Sequence, residues 1–224
     1  MERLIVTMTS WKARIDNVIP VIQHLFKHQT LKPDKVVINL SREEFKDCMP
    51  TELMRFAECH PQVEIYWMDG PNLRQWKKII PTLLRYPNDM VVCIDDDWLY
   101  DPCMLELLVK FHKAHPNNPV TVNYGYKVKG LLQHCGIGTL DKLSYYKGLE
   151  KIDLVELSQN HSSDTFFTFL AHASGNDILY VGRKMKNTPF NSVQPLNKSE
   201  ATSNVATQME MVAWMARKGL IKRI

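Results

Sequence analysis

No glycine occurs before Gly70, which argues against a glycine-rich phosphate loop after the first strand, of the kind that sugar nucleotidyltransferases carry with a nearby Arg and Lys. No apolar run approaches the roughly 20 residues that a transmembrane helix needs. The start, Met1-Glu2-Arg3 before Leu4-Ile5-Val6, lacks the long apolar stretch of a signal peptide. The five cysteines, Cys48, Cys59, Cys93, Cys103 and Cys135, form no CxxC pair and no zinc-like spacing. An odd, scattered set reads as reduced thiols, so a cytoplasmic location is expected, with peripheral contact at the inner face of a membrane left open. Repeats and low-complexity tracts are absent. The formal charge of +4 is too small to point to nucleic acid, though it suits an anionic ligand. What remains is ordinary for a globular chain: 224 residues, 45% hydrophobic and 23% charged, enough for a full core without disulfides or structural metal.

The first hundred residues alternate short apolar runs with helical stripes. Leu4–Met8, Lys35–Leu40, Val63–Met68 and Met90–Ile94 read as strands. Between them, Ile15–His28, Thr51–His60 (with Thr51 as a possible N-cap) and the stripe Trp76, Ile79, Ile80, Leu83, Leu84 read as helices, the last kinked or broken at Pro81. Strands alternating with helices imply βαβ units, hence an α/β fold with a mostly parallel sheet covered on both faces. Ligands of such sheets bind at the carboxyl ends of the strands. Here those ends carry Thr9-Ser10, Ser41, Asp69-Gly70 and Asp95-Asp96-Asp97. Beyond Asp101, helices are expected at Met104–Ala114, Ser163–Ser174 and Val205–Lys218, with short strands at Val120–Val122 and Ile178–Val181. Residues 184–204, rich in Asn, Ser, Thr and Pro, read as a long loop.

The three aspartates are the strongest chemical signal. Adjacent carboxylates at the end of a buried strand repel one another unless a cation neutralises them. Hard oxygen ligands suit magnesium or manganese, and an ion bridging a diphosphate makes it a better leaving group. Strand alternation lets Asp95 and Asp97 share one side. The plain alternative is a solvated acidic turn ahead of the helix that follows Asp101-Pro102.

Met8-Thr9-Ser10-Trp11-Lys12-Ala13-Arg14-Ile15, Thr30-Leu31-Lys32-Pro33-Asp34-Lys35, Ile38-Asn39-Leu40-Ser41, Trp76-Lys77-Lys78, Ile80-Pro81-Thr82-Leu83, Pro87-Asn88-Asp89 and Asp95-Asp96-Asp97 follow in that order. Over roughly the first 100 residues this series resembles bacterial GT-A glycosyltransferases similar to family 2, which act in surface-polysaccharide assembly. The resemblance implies a single GT-A domain, with a nucleotide-binding half over 1–100, an acceptor half over 101–183, and a loop plus C-terminal helix over 184–224. It implies a nucleoside-diphosphate sugar donor, most simply a UDP-sugar, a glycan or lipid-linked acceptor, and Mn2+ or Mg2+. Asp97 would be the principal metal ligand, Asp95 would face the ribose or the ion, and Asp96 could share either role. Thr7, Thr9 and Arg14 would line the nucleotide pocket, and Lys78 would approach the nucleotide or its phosphates.

An inverting enzyme of this type also needs a base on the acceptor side. The family places an acidic residue there at the opening of a helix, which matches Asp164 in His161-Ser162-Ser163-Asp164. Many relatives carry two consecutive acids at this point, whereas this chain has Ser163 before Asp164. An Asp in a helix's first turn is also favoured by the N-terminal dipole alone. Gly136-Ile137-Gly138 matches the family's glycine-bearing segment on the sugar and acceptor side, and His134 or His161 could complete an ion's coordination. Trp98 is the best candidate for sugar stacking among the five tryptophans. The last helix presents Val205, Met209, Val212 and Ala216 on one face, with packing on the main domain preferred over lipid contact for its basic end. A catalytically inactive relative acting in nucleotide or glycan binding, or as a scaffold, is the alternative function.

Overall fold

The apolar runs form strands because their β-branched and apolar side chains have a helix-covered face on either side. A computed structural model describes residues 2–122, 126–160, 162–191 and 205–222. Strands β1 (Leu4–Thr9), β2 (Lys35–Ser41), β3 (Val63–Met68) and β4 (Met90–Cys93) are as the sequence pattern predicts. They are joined by short β5 (Trp98–Leu99), β6 (Val120–Thr121), β7 (Lys127–Val128), β8 (Leu131–Leu132), β9 (Thr139–Asp141), β10 (Leu179–Tyr180) and β11 (Thr188–Pro189). Seven of these make the main sheet, in the order β10-β6-β9-β4-β1-β2-β3. All neighbours are parallel except β9, which runs antiparallel to both β4 and β6. The short strands β7 and β8 form a separate hairpin.

The helices are α1 (Val18–His28), α2 (Arg42–Phe45), α3 (Thr51–Cys59), α4 (Ile80–Arg85), α5 (Met104–Ala114), α6 (Leu154–Leu157), α7 (Ser163–Ala173) and α8 (Val205–Arg217). Strand alternation divides the core into two layers. Leu4, Val6, Met8, Val92 and Ile94 pack with Val18, Ile22, Leu53 and Leu105 of α1, α3 and α5. On the opposite face Val91 and Cys93 pack with Ile80, Leu83, Phe166 and Met211 of α4, α7 and α8.

Four expectations change in the folded chain. Thr51 is the first residue of α3 rather than its cap; Pro50 precedes it and no side chain caps the helix. The stripe from Trp76 to Leu84 is two pieces, a 3-10 turn over Arg74–Lys78 and then α4, with Pro81 in the first turn of α4, where no amide donor is needed. Within the expected loop, Thr188–Pro189 pairs antiparallel with Trp98–Leu99 and Lys186 N donates to Asp101 Oδ2 at 3.0 Å. Residues 184–191 are thereby tied across the turn after β4, while 192–204 lie outside the described residues. In α8 the buried positions are Met211, Val212, Trp214 and Met215, whereas Val205 is 72% exposed. The helix buries that set against α7, and Lys218 beyond its end is held by Glu156 at 2.6 Å.

Candidate active site

Strands β1 and β4 are neighbours, and Ile94 N still donates to Thr7 O at 3.0 Å as the two leave the sheet. Ser10 and the aspartates therefore meet on one rim, where Ser10 Oγ donates to Asp96 Oδ2 at 2.5 Å. Arg14 lies in the 3-10 turn Lys12–Asn17 that follows β1. Its Nη1 donates to Asp97 Oδ2 at 2.7 Å, and its Nη2 lies 2.7 Å from Asp96 Oδ1. The second contact is an ion pair only, because Asp96 Oδ1 receives no aligned hydrogen bond. Burial pushes the Asp96 carboxyl up, Arg14 and Ser10 oppose it, and the balance falls at about 6. Asp97 is raised as well, first by burial and then by the charge of Asp95.

Asp95 faces a different cation. Lys78 Nζ donates to Asp95 Oδ1 at 2.6 Å. Burial would lower the Lys78 ammonium, but Asp95, with Cys93 and Asp164, outweighs it and leaves the group raised and charged. The lysine is placed by the sheet beneath it: Thr7 Oγ1 donates to Lys78 O at 2.7 Å, and Asn39 Nδ2 donates at 3.0 Å to both Thr7 Oγ1 and Thr82 Oγ1. Trp76, fully buried, donates from Nε1 to Asn160 O at 3.0 Å and so ties the same turn to the segment leading into α7. Tyr100 Oη accepts from Asp95 N at 2.7 Å and donates to Asp95 O at 3.1 Å, closing the turn after β4.

The segment before β9 and the start of α7 complete the crevice. A β-carbon on Gly136 would lie 1.9 Å from Lys78 Nζ and 3.1 Å from Asp95 Oδ1, so glycine is what lets this backbone pass. Asp164, in the first turn of α7, has a side chain 42% exposed. Its charge acts on Lys78, Cys93 and Cys135, the last pushed up to about 12 mainly by burial.

The sequence-derived candidates thus separate into two groups. Asp95, Asp97, Arg14, Lys78 and Asp164 converge on one crevice. Three others are turned away from it and differ from the expectation. Asp96 is 1% exposed and directed at Ser10 and Arg14, so its role is to hold Arg14 rather than to meet a ligand. Thr7 is wholly buried, its hydroxyl engaged by Lys78 O, and it positions the lysine instead of lining a pocket. Thr9 Oγ1 donates to Asn39 O at 2.6 Å, a tie between adjacent strands. Trp98 packs partly buried against the core. His134 is buried between Asp141 and Asp164, which removes it from the position of an ion ligand, and His161 lies outside the described residues.

Tyr100 and Asp141 escaped sequence reasoning, and Ser10 was placed on the rim without a role. Ser10 stands in the polar segment just after β1, while Asp141 closes the three-residue strand β9 with no local mark.

No family model matches the chain, and no curated protein does. Solved structures are similar to it. The 1–349 fragment of TarS from S. aureus matches with a TM-score of 0.62 and 12% identity, covering 100% of this chain and 67% of that one. The same fragment in complex with UDP-GlcNAc gives 0.57, 12%, 100% and 68%. The mannosyltransferase PcManGT from Pyrobaculum calidifontis, in complex with GDP-Man and Mn2+, gives 0.55 and 17%, covering 96% of this chain and 60% of that one. The chain adopts a GT-A fold. It spans 44% of the longer S. aureus TarS chain.

In the GT-A frame the acidic turn after β4 offers carboxylate oxygens of the kind a divalent ion takes. Three carboxylates face two cations, so one negative charge remains, and Asp95 and Asp97 are close enough for one to raise the other. Asp95 Oδ2 and Asp97 Oδ1 have no side-chain partner among the described residues. Among those residues no group of three or more His, Cys, Asp or Glu side chains is arranged to hold a metal ion. The donor set fits a hard ion held by two carboxylates, with phosphate oxygens and water completing its shell.

Proposed function

We propose that the protein is an inverting glycosyltransferase that moves a hexosyl group from a nucleoside-diphosphate sugar to a hydroxyl of a glycan or lipid-linked acceptor in polysaccharide assembly. The observation that carries the reading is the convergence of Asp95, Asp97 and Lys78 with Asp164 on the carboxyl rim of a GT-A sheet. The neighbours in fold are recorded with UDP-GlcNAc and with GDP-Man and Mn2+, which supports a nucleotide-sugar as the ligand class. A UDP-sugar is the first donor to try.

Asp95 and Asp97 would hold Mn2+ or Mg2+, which supplies positive charge against the diphosphate as it departs. Lys78 and Arg14 aim these two carboxylates, and Lys78 adds a buried positive charge beside the phosphates. Asp164 accepts the proton of the acceptor hydroxyl while that oxygen bonds to the anomeric carbon. The bond from that carbon to the diphosphate oxygen breaks, and the nucleoside diphosphate leaves on the opposite face.

Thermal shift against UDP- and GDP-sugars, with Mn2+ and with EDTA, tests the donor half, since a ligand raises the melting temperature with its affinity and concentration. Metal-dependent stabilisation that disappears in Asp97→Ala is the expected result. Donor binding without turnover on any acceptor or water, in wild type and Asp164→Asn alike, would instead favour an inactive nucleotide-binding relative.

A further inference from the structure

His134 is buried between two carboxylates that belong to different parts of the fold. Its Nε2 lies 3.0 Å from Asp141 Oδ2 in β9, and its Nδ1 lies 3.8 Å from Asp164 Oδ1 in α7. The first contact is a hydrogen bond. The second is an ionic contact, too long for a hydrogen bond. Nδ1 has no hydrogen-bond partner although it is buried. A buried nitrogen is costly to leave unpaired, so its uncommitted N–H facing a half-exposed carboxylate marks a contact that closes with a small movement of Asp164.

The imidazole itself is immobilised. Tyr146 Oη donates to Asp141 Oδ1, which anchors the carboxylate beneath it, and the Phe167 ring lies 5.0 Å from the imidazole. His134 N donates to Thr168 Oγ1 at 2.9 Å, and Thr168 Oγ1 donates to Asp164 O at 2.6 Å. Backbone and side chain of His134 therefore both reach the first turn of α7. The other titratable groups nearby are Cys93 of β4, Cys135 beside the histidine, and Lys78 across the crevice, each within electrostatic reach of Asp164.

We infer that His134 is a positioning residue: clamped by Asp141, it holds the Asp164 carboxylate directed at the crevice where the acceptor hydroxyl is deprotonated. The inference rests on the glycosyltransferase reading for its purpose, but not for its physical content. Burial alone would lower the imidazole, yet Asp141 and Asp164 together raise it to about 9, so the cation persists through neutral pH. Removing a positive charge about 4 Å from a carboxylate disfavours the ionised form, by on the order of one pH unit or more at a half-exposed site.

Two measurements separate this inference from the reading beneath it. The first is nuclear magnetic resonance of the 15N-labelled imidazoles across pH 5–10 in wild type, in His134→Gln to assign the resonance, and in Asp164→Asn. The His134 midpoint is expected near 9 in wild type and lower by about one pH unit in Asp164→Asn. An unchanged midpoint in Asp164→Asn overturns the coupling, whether or not any donor is turned over.

The second is the pH profile of transfer. In His134→Gln, whose amide can still donate to Asp141, the acid limb of kcat/KM should move to higher pH by about one unit, so that the loss is about tenfold on the acid limb and small on the neutral plateau, with donor KM unchanged. Equal loss at all pH values, or a loss confined to KM, overturns the positioning role. If His134→Gln does not fold, Tyr146→Phe serves instead: it removes a donor from Asp141, and a shifted His134 midpoint is expected, an unchanged one counting against the clamp. Normal coupling in the resonance data with no transfer from any donor would refute the enzymatic reading and leave the His134–Asp164 contact standing.

Discussion

Gly136 and Lys78 are in such close contact that a β-carbon on the glycine would fall 1.9 Å from the lysine ammonium. The same carbon would meet Asp95 Oδ1 at 3.1 Å, so the glycine guards the ion pair between β4 and the preceding 3-10 turn. Gly136→Ala should displace Lys78, the flexible partner, and release Asp95. Folding should suffer little, while affinity for a nucleoside diphosphate falls about tenfold, equivalent to about 1.4 kcal/mol. Titration calorimetry with UDP or GDP in Mn2+ checks it, and unchanged affinity would show that the Lys78–Asp95 pair is irrelevant to binding.

The three aspartates should respond differently to substitution because they face different ways. Asp97→Asn and Asp95→Asn should leave melting temperature within a few degrees of wild type and remove the Mn2+ dependence of donor binding. Asp96→Ala should destabilise the chain by about 3–5 kcal/mol, since Asp96 alone of the three is fully buried and its loss strips both Ser10 and one side of the buried Arg14 of a partner. Denaturant titration of the metal-free proteins separates the cases. Equal stability of all three variants would contradict the buried role of Asp96.

Stability should fall with alkalinity through His134. A histidine whose folded value is raised from 6.5 to about 9 contributes fully below pH 6.5, and the contribution is lost as pH rises through about 9. The loss corresponds to roughly 3 kcal/mol. Urea unfolding at pH 6 and pH 10 should therefore show a larger decrease for wild type than for His134→Gln. Parallel curves would mean that the imidazole is neutral in the folded protein.

Trp76 links the two halves of the crevice, donating to Asn160 O while its ring meets Phe166 edge-on at a centroid distance of 5.3 Å. Trp76→Ala should cost about 3–5 kcal/mol, as for other large buried aromatics. Trp76→Phe should retain the fold but leave the Asn160 carbonyl unpaired, costing about 1–3 kcal/mol. Calorimetric melting of the two variants tests the order; a Phe variant as unstable as the Ala variant would assign the effect to the lost hydrogen bond rather than to the volume of the ring.

Local pattern determined the strands, most helices and the rim. Short β-branched runs such as Lys35–Ser41 carry their conformation in their own side chains, and alternation along β1 and β4 decides which residues enter each core layer. The same alternation already suggests that Asp95 and Asp97 share a side, and Asp96 is the one that turns inward. What lies between strands of distant sequence was decided only by the fold. Arg14 reaches Asp96 and Asp97 because β1 and β4 are adjacent in the sheet, and no spacing encodes that adjacency. Asp141 meets His134 through the antiparallel strand β9, the one reversal in a parallel sheet, and Asp164 meets the same imidazole from α7. Hydrophobic periodicity reports burial of a segment against something. The partner of a buried polar group depends on which segments the sheet order brings together, and that is a property of the whole chain.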